Sequence, residues 1–514
     1  LLAIVFKFPT TFALQTMIPG TAIGVLFGDL MFFWIALRLA RRTGREDVTA
    51  MPLGLDTPST IAMVLFVLGP AFLHAKGALG LDEQAAAVHT WHIGICCIFL
   101  SGVLKVACAF GAGVVRRVVP RAGLLGSLAA IALVLISFIP LLDVLRYPLV
   151  GMVSLAIILT TLVARVQLPW RIPGALGALL VAGTIYYLMV LTGTLEREPL
   201  GFAPASALMP SAWFDAFTFK WLGAMGASMQ YLPVVIPFAI ATVVGGIDCT
   251  ESAAAAGDEY DTRAVIAVEG VATLLAAVCG GVLQTTPYIG HPAYKAMGGR
   301  SAYTLATALF VGGAGVFGYF GYLYLLIPKA AIFTILIFIG LEITAQSFHA
   351  TPRKHYAALV LACIPALAKL VVIFCSNILG QFGKTIDDLS PPLSDQLATM
   401  QVLAGGFIVT SLLWGAALAA IIDRRLKAAS AFFLVAGFFS LFGLIHSPFP
   451  DERLVIPWDF GSELPHAAAG QTRFYMAASD AMGAMLLFAW ALFLEKSGQS
   501  DLPENCDGDL QSPG

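Results

Sequence analysis

The sequence predicts an all-α polytopic membrane protein, and three observations carry that expectation. Of its 514 residues, 59% are hydrophobic and only 12% charged, and the mean hydropathy is +0.86. A soluble domain needs a larger polar fraction to coat its surface. The apolar residues come in runs separated by short charged or Pro/Gly-rich joints. A hydrocarbon core of about 30 Å takes about 20 helical residues, which makes room for roughly 14–16 spans. Lysines and arginines then gather at every second joint, as membrane orientation requires.

In chain order the runs are 1–19, 20–41, 50–73, 92–113, 122–140, 145–164, 171–192, 229–247, 262–283, 284–298, 302–324, 328–347, 356–378, 398–421, 428–446 and 473–494. The basic joints hold Arg38, Arg41, Arg42 and Arg45, then Arg116, Arg117 and Arg121, then Arg165 and Arg171. Further on they hold Arg263, then Lys295 and Arg300, Arg353 and Lys354, then Arg424, Arg425 and Lys427, and last Lys496. The alternation holds if 50–73 and 284–298 each cross once. It places the C-terminus in the cytoplasm of a cell (inner) membrane protein. The segments 193–228, 379–397 and 447–472 read as external loops, and 495–514 as a disordered cytoplasmic tail. The chain opens inside an apolar run, so we expect a first span without its start.

Composition also excludes. A net charge of −2 offers no basic face for nucleic acid. The eight cysteines form no CxxC and no Cys/His quartet, so neither a disulfide framework nor a metal site is expected. No cofactor is implied. There is no HExxH and no GxSxG, and no stretch outside the membrane is long enough to build a catalytic core. We therefore expect no enzyme.

Two segments do not read as ordinary spans. They are Met51-Pro52-Leu53-Gly54-Leu55-Asp56-Thr57-Pro58 and Gln284-Thr285-Thr286-Pro287-Tyr288-Ile289-Gly290-His291-Pro292. Each proline removes a donor and pushes its predecessor toward extended geometry, so 51–55 and 285–289 should be extended. A half-helix should then begin at Asp56 or Thr57 in the first segment and at Gly290 or His291 in the second. Irregular backbone at membrane depth survives where it lines a cavity or is buried in protein. Matched breaks in two halves of a chain point to a midplane binding site. The competing reading is two kinks without function.

Ionisable residues in the membrane are costly and mark pathways. Asp248 and Glu251 are three apart, on one helix face. They are candidates for substrate binding and proton coupling; the competing reading is a solvated helix end. Asp56, Thr57 and His291 at the breaks are candidate substrate contacts. Gln284, Thr285 and Thr286 offer donors beside the second break. Asp29, Lys105, Glu269 and Lys369 read as interhelical pairs or snorkelling side chains.

Four motifs give the chain a resemblance to the nucleobase–ascorbate transporter family, the xanthine/uracil permeases. They are the 51–58 break, Glu251-Ser252, Thr285-Thr286-Pro287-Tyr288, and Ile327-Pro328-Lys329-Ala330-Ala331. The resemblance covers roughly 1–422. It implies seven-plus-seven inverted repeats with two broken half-helices. Core subdomains would hold 1–113 and 229–326, and gate subdomains 122–192 and 327–422. Two extra spans (428–494) would follow. It further implies an elevator-type symporter, often homodimeric, that carries a nucleobase with a proton or cation. Substrate would sit between the two half-helices and span eight, with Glu251 matching the acid that contacts the base; read from their own positions, Asp248, Asp56, Thr57, Tyr288, Gly290 and His291 complete the candidate binding set. One departure stands out: the family's second acid, at the start of the second half-helix, is replaced by Gly290 followed by His291. The alternative expectation is an anion transporter (sulfate, bicarbonate or dicarboxylate) of the sulfate-permease-like architecture.

Overall fold

The computed structural model describes residues 2, 6–56, 59, 60, 63–196, 205, 208–319, 322, 328–447, 449 and 467–497. The chain is an all-α polytopic membrane protein. Among the described residues eight helices are long and apolar enough to span a bilayer, and nine if one pair bent by 74° counts as a single crossing. Large apolar side chains such as Trp34, Phe110, Leu149, Leu191, Phe438 and Leu486 are exposed around the molecule. In a bilayer they face lipid, where no hydrophobic penalty attaches to them.

The first half of the chain begins with α1 (Thr10–Thr43) and strand β1 (Leu53–Leu55). Then come α2 (63–77), α3 (Glu83–Val118), α4 (Arg121–Arg146), α5 (Pro148–Val163) and α6 (Gly174–Leu191). The second half holds α7 (Leu232–Ala255), α8 (Thr262–Val278), β2 (Thr285–Pro287), α9 (His291–Ala296) and α10 (Tyr303–Phe317). It continues with α11 (Lys329–His349), α12 (Tyr356–Gln381), α13 (Pro391–Ala404) and α14 (Phe407–Ile422). Finally α15 (Leu426–Leu441) and α16 (Ala467–Lys496) pack on each other and, through α15, on α14.

Residues 10–41, expected as parts of two spans, lie in one helix. The joint at Ile18-Pro19-Gly20 does not break it, because residues 13–17 widen into a π-turn just before the proline. Proline clashes with the carbonyl four residues back, and a π-turn relieves that clash. The same device precedes Pro70, with π-turns at 63–68, and Pro140, at 132–138. The expected external loop 193–228 is partly built: short 3₁₀ turns at Ala212–Thr218 and Lys220–Ala224 bury Trp213 and Trp221. The tail beyond residue 497 lies outside the described residues, as does Thr57.

A run of small residues lets α1 close on its neighbours. Gly20, Gly24 and Gly28 lie four apart on one face. A Cβ on Gly20 would run into the Cys279 carbonyl oxygen, and one on Gly24 would stand 2.6 Å from the Ala276 Cβ. At Gly28 it would meet the Leu53 side chain. Close helix approach through small residues is how membrane helices gain packing energy.

Two groups of helices result. In the first, α1 packs on α8 and α10, and α3 packs on α8. The helix before one break therefore contacts the helix after the other break, and the reverse also holds, as two inverted halves would require. In the second group, α4 packs on α11, α12 and α14, while α5 and α6 pack on α11. Between the groups runs α7, which touches α3 and α8 on one side and α4, α11 and α14 on the other.

Candidate functional site

The prolines at the breaks have the expected effect. Strands β1 and β2 pair antiparallel, with Leu53 opposite Pro287, Gly54 opposite Thr286 and Leu55 opposite Thr285. The Tyr288 N–H extends the ladder by donating to the Pro52 carbonyl at 2.7 Å. Strand β2 is buried throughout and β1 is buried at Leu53, so side chains must take the outer backbone groups there. The Leu53 N–H donates to Asp29 Oδ1 at 2.7 Å. The Thr285 carbonyl accepts from Lys105 Nζ at 2.8 Å, and Lys105 is ion-paired with Glu269 at 2.9 Å. Lys105 and Glu269 are both fully buried. The sequence read Asp29, Lys105 and Glu269 as interhelical pairs or snorkelling side chains; Lys105 and Glu269 are such a pair, and with Asp29 they hold the ribbon.

Asp56 caps the turn after β1. Its Oδ2 accepts from the Ser59 N–H at 2.8 Å, and its carbonyl accepts from the Thr60 N–H. At the second break Gly290 is the N-cap residue of α9, without a side-chain cap bond. A Cβ there would lie 2.7 Å from the Tyr288 ring and 2.8 Å from the Tyr294 ring, so the two aromatic side chains close over this glycine. Beside the first break, Ser59, Met63, Ile98, Val234, Phe238 and Gln284 line a small cavity. Gln284 is fixed there by the Ser101 hydroxyl, which donates to it at 2.8 Å.

The α7 helix crosses the ribbon at 246–249. A Cβ on Gly246 would touch Glu269 Oε2, and the Cys249 Sγ lies 3.6 Å from the Pro287 carbonyl oxygen. Asp248 and Glu251 share another face, turned toward α4. Asp248 is fully buried, with Oδ2 on the Ser127 hydroxyl of α4 and Oδ1 without a partner. Glu251 is ion-paired with Arg116 at 2.9 Å and Arg121 at 2.6 Å. Those arginines read from sequence only as orientation signals. Ser252 Oγ lies 3.4 Å from Gln346 Oε1 on α11, and the Gln346 amide donates to the Ser252 carbonyl.

His291 does not join this cluster. Its Nε2 lies 3.0 Å from the Thr49 carbonyl oxygen and 3.2 Å from Asp258 Oδ2. A proton on Nε2 serves both acceptors and leaves the buried Nδ1 without a partner. Asp258, in the loop between α7 and α8, also takes Lys295 Nζ at 2.6 Å, Arg45 at 3.2 Å and the Thr49 N–H at 3.0 Å. Burial alone would raise its carboxyl; the hydrogen bonds from His291, Lys295 and Thr49 outweigh burial and hold it below the usual carboxylate range. Asp47 nearby is brought down to about 2, chiefly by Arg45. Nothing in the sequence singled out Asp258.

The predicted site residues thus divide in three. Asp56, Tyr288 and Gly290 stand at the ribbon, Asp248 and Glu251 sit where α7 meets α4 (Glu251 also on Arg116 of α3), and His291 faces the loops that hold Thr49 and Asp258. What fold and site define together is a membrane protein with a broken-helix core beside a second helical group.

No family model matches the sequence, and no curated protein matches it. Among solved structures the chain is similar to SLC26A9, with 13% identity and a TM-score of 0.39 over 83% of this chain and 62% of that one. The chain therefore spans less than two thirds of that protein's length. It is also similar to the transmembrane domain of the cyanobacterium bicarbonate transporter BicA, with 13% identity and a TM-score of 0.35 over 77% and 96%. With no family model matching, what stands of the resemblance of the four motifs is a polytopic membrane architecture.

Proposed function

We propose that the protein is a secondary transporter of a small anion, worked by movement of the helical group around the ribbon against the group of α4–α6 and α11–α14. One observation carries the anion reading. Glu251, the acid that would grip a base, is engaged by Arg116 and Arg121, and Gly290 leaves no second acid. A nucleobase is recognised through acceptor carboxylates, and here the first is already occupied. Arg121 is 58% exposed, so part of its guanidinium fork meets solvent beside the end of α7 that holds Glu251. Guanidinium forks match carboxylate, sulfate and bicarbonate geometry.

The α7 helix is the boundary of that movement. It meets the second group through the bonds of Asp248 to Ser127, Glu251 to Arg121 and Ser252 to Gln346, and its Val243 and Ile247 share a buried apolar cluster with Leu124, Val409 and Leu412.

The test is a thermal-shift panel on detergent-purified protein with sulfate, bicarbonate, succinate, uracil and xanthine. A ligand at 100 times its dissociation constant adds about 2.7 kcal/mol to the folded state. Stabilisation by an anion, reduced in Arg121→Gln, is expected. Stabilisation by uracil or xanthine alone would refute the anion reading and restore the nucleobase one.

A further inference from the structure

The two strands of the ribbon are held by equivalent but unequal carboxylates. Asp29 lies on α1, the helix before the first break, and its Oδ2 meets the Thr307 hydroxyl of α10, the helix after the second break, at 3.3 Å. Glu269 lies on α8, the helix before the second break, and it meets Lys105 of α3, the helix after the first break. Each acid therefore bridges the two halves; Asp29 secures its strand directly at Leu53, and Glu269 secures the other through Lys105 at Thr285. Glu269 has an ammonium partner, Glu251 has two guanidiniums, and Asp29, 3% exposed, has a threonine.

We infer that Asp29 is a proton-carrying site whose occupancy is tied to the position of β1, an inference that rests on the transport reading above. Hydrogen-bond accounting supports it. Thr307 Oγ1 lies 3.0 Å from the Thr304 carbonyl oxygen and 3.3 Å from that of Tyr303. Its single proton can serve its own helix or Asp29, not both. With a proton on Asp29 Oδ2, that O–H donates to Thr307 Oγ1, Thr307 donates to its backbone, and Oδ1 still accepts from Leu53. Every group is then satisfied and no charge is buried. Without the proton, Thr307 must leave its backbone bond, and a carboxylate lies buried with no cation beside it.

The groups facing Asp29 agree. From α9 and α10 come the phenols Tyr294 and Tyr303, stacked at 5.2 Å, and the buried Tyr303 hydroxyl has no partner. The α8 helix brings Glu269, committed to Lys105, and Arg263, which lies over the Phe110 ring. The segment after β1 brings Asp56, committed to Ser59. Among the described residues none of these groups supplies a cation to Asp29. Loss of the proton keeps Oδ1 on the Leu53 N–H but buries an unpaired charge, so the ionised form favours a position of β1 in which Asp29 reaches water, and a proton from the other side restores the neutral arrangement.

Infrared spectroscopy of the purified full chain reads the site without reference to transport. Near neutral pH the wild type should show the carbonyl stretch of a buried protonated carboxylic acid that Asp29→Asn removes and Asp248→Asn leaves in place. Thr307→Val, which deletes only the hydroxyl, should shift the same band. A spectrum unchanged by both Asp29→Asn and Thr307→Val overturns the assignment. In proteoliposomes loaded with radiolabelled sulfate, Asp29→Asn should retain sulfate–sulfate exchange but lose stimulation by an inward-acid gradient. Wild-type stimulation in Asp29→Asn overturns the coupling role. If the wild type moves neither sulfate nor uracil, the transport reading fails, while the infrared band still decides whether Asp29 holds a proton.

Discussion

Replacing Lys105 by Met tests how the second strand is held. Lys105 and Glu269 are completely buried with N···O at 2.9 Å. At an effective dielectric constant of about 20 that separation gives an attraction of roughly 6 kcal/mol. Removing both ions from water costs several kcal/mol each, so the pair as a whole contributes little net stability. The single substitution leaves the Glu269 charge stranded and the Thr285 carbonyl without its donor. It should destabilise by about 3–5 kcal/mol for the stranded ion. The orphaned carbonyl adds about 1–3 kcal/mol. The double variant Lys105→Met/Glu269→Met removes both charges at similar volume and should recover most of the ionic loss. Equilibrium unfolding in mixed detergent, followed by tryptophan fluorescence, measures all four members of the cycle. Equal stability of the single and double variants, or a cost for Lys105→Met within about 0.5 kcal/mol of zero, which is the range of an inert surface site, would refute the pair's role.

Three further outcomes rest on the same geometry. Gly24→Val should destabilise by about 1–3 kcal/mol through overpacking, because its Cβ already meets Ala276 and the Ala272 carbonyl oxygen; the same unfolding assay checks it. Asp56→Ala should cost about 1 kcal/mol by loss of the cap to Ser59, while Asp56→Asn should retain it. The Asp258 carboxyl is held below its ordinary value, so its stabilisation is present above about pH 4 and is lost as pH falls through the depressed folded value. Between pH 5 and 8 (about the working range of proteins) stability should therefore not vary on account of Asp258. Acid titration of Asp258→Asn should lack the low-pH loss seen in the wild type, and identical acid transitions would refute that account.

What could be read from the sequence were the features that act over a few residues. Prolines at 52, 287 and 292 dictate extended backbone followed by a helix start, and the structure has strands at 53–55 and 285–287. Local rules fail where a wider helical turn absorbs the same residue, so Pro19 looked like a joint and is helix interior. The face-sharing of Asp248 and Glu251 was legible because a helix fixes it; the direction of that face was not, since it depends on α4 starting at Arg121. Long-range partners carry no local signal at all. Lys105 on α3 and Glu269 on α8 have the whole of α4–α7 between them in sequence, and nothing in either run names the other. Yet the ribbon gives a reason why both had to exist. A strand pair dictated by two prolines leaves outer N–H and C=O groups in a region without water, so some side chains on the flanking helices had to be polar. Asp29, Lys105 and Glu269 meet that demand, and this requirement can be read from the two breaks alone. Unexplained charges in the runs next to a proline-broken segment are therefore first candidates for holding its strand, and the carboxylate among them without a cation is the first candidate for carrying a proton.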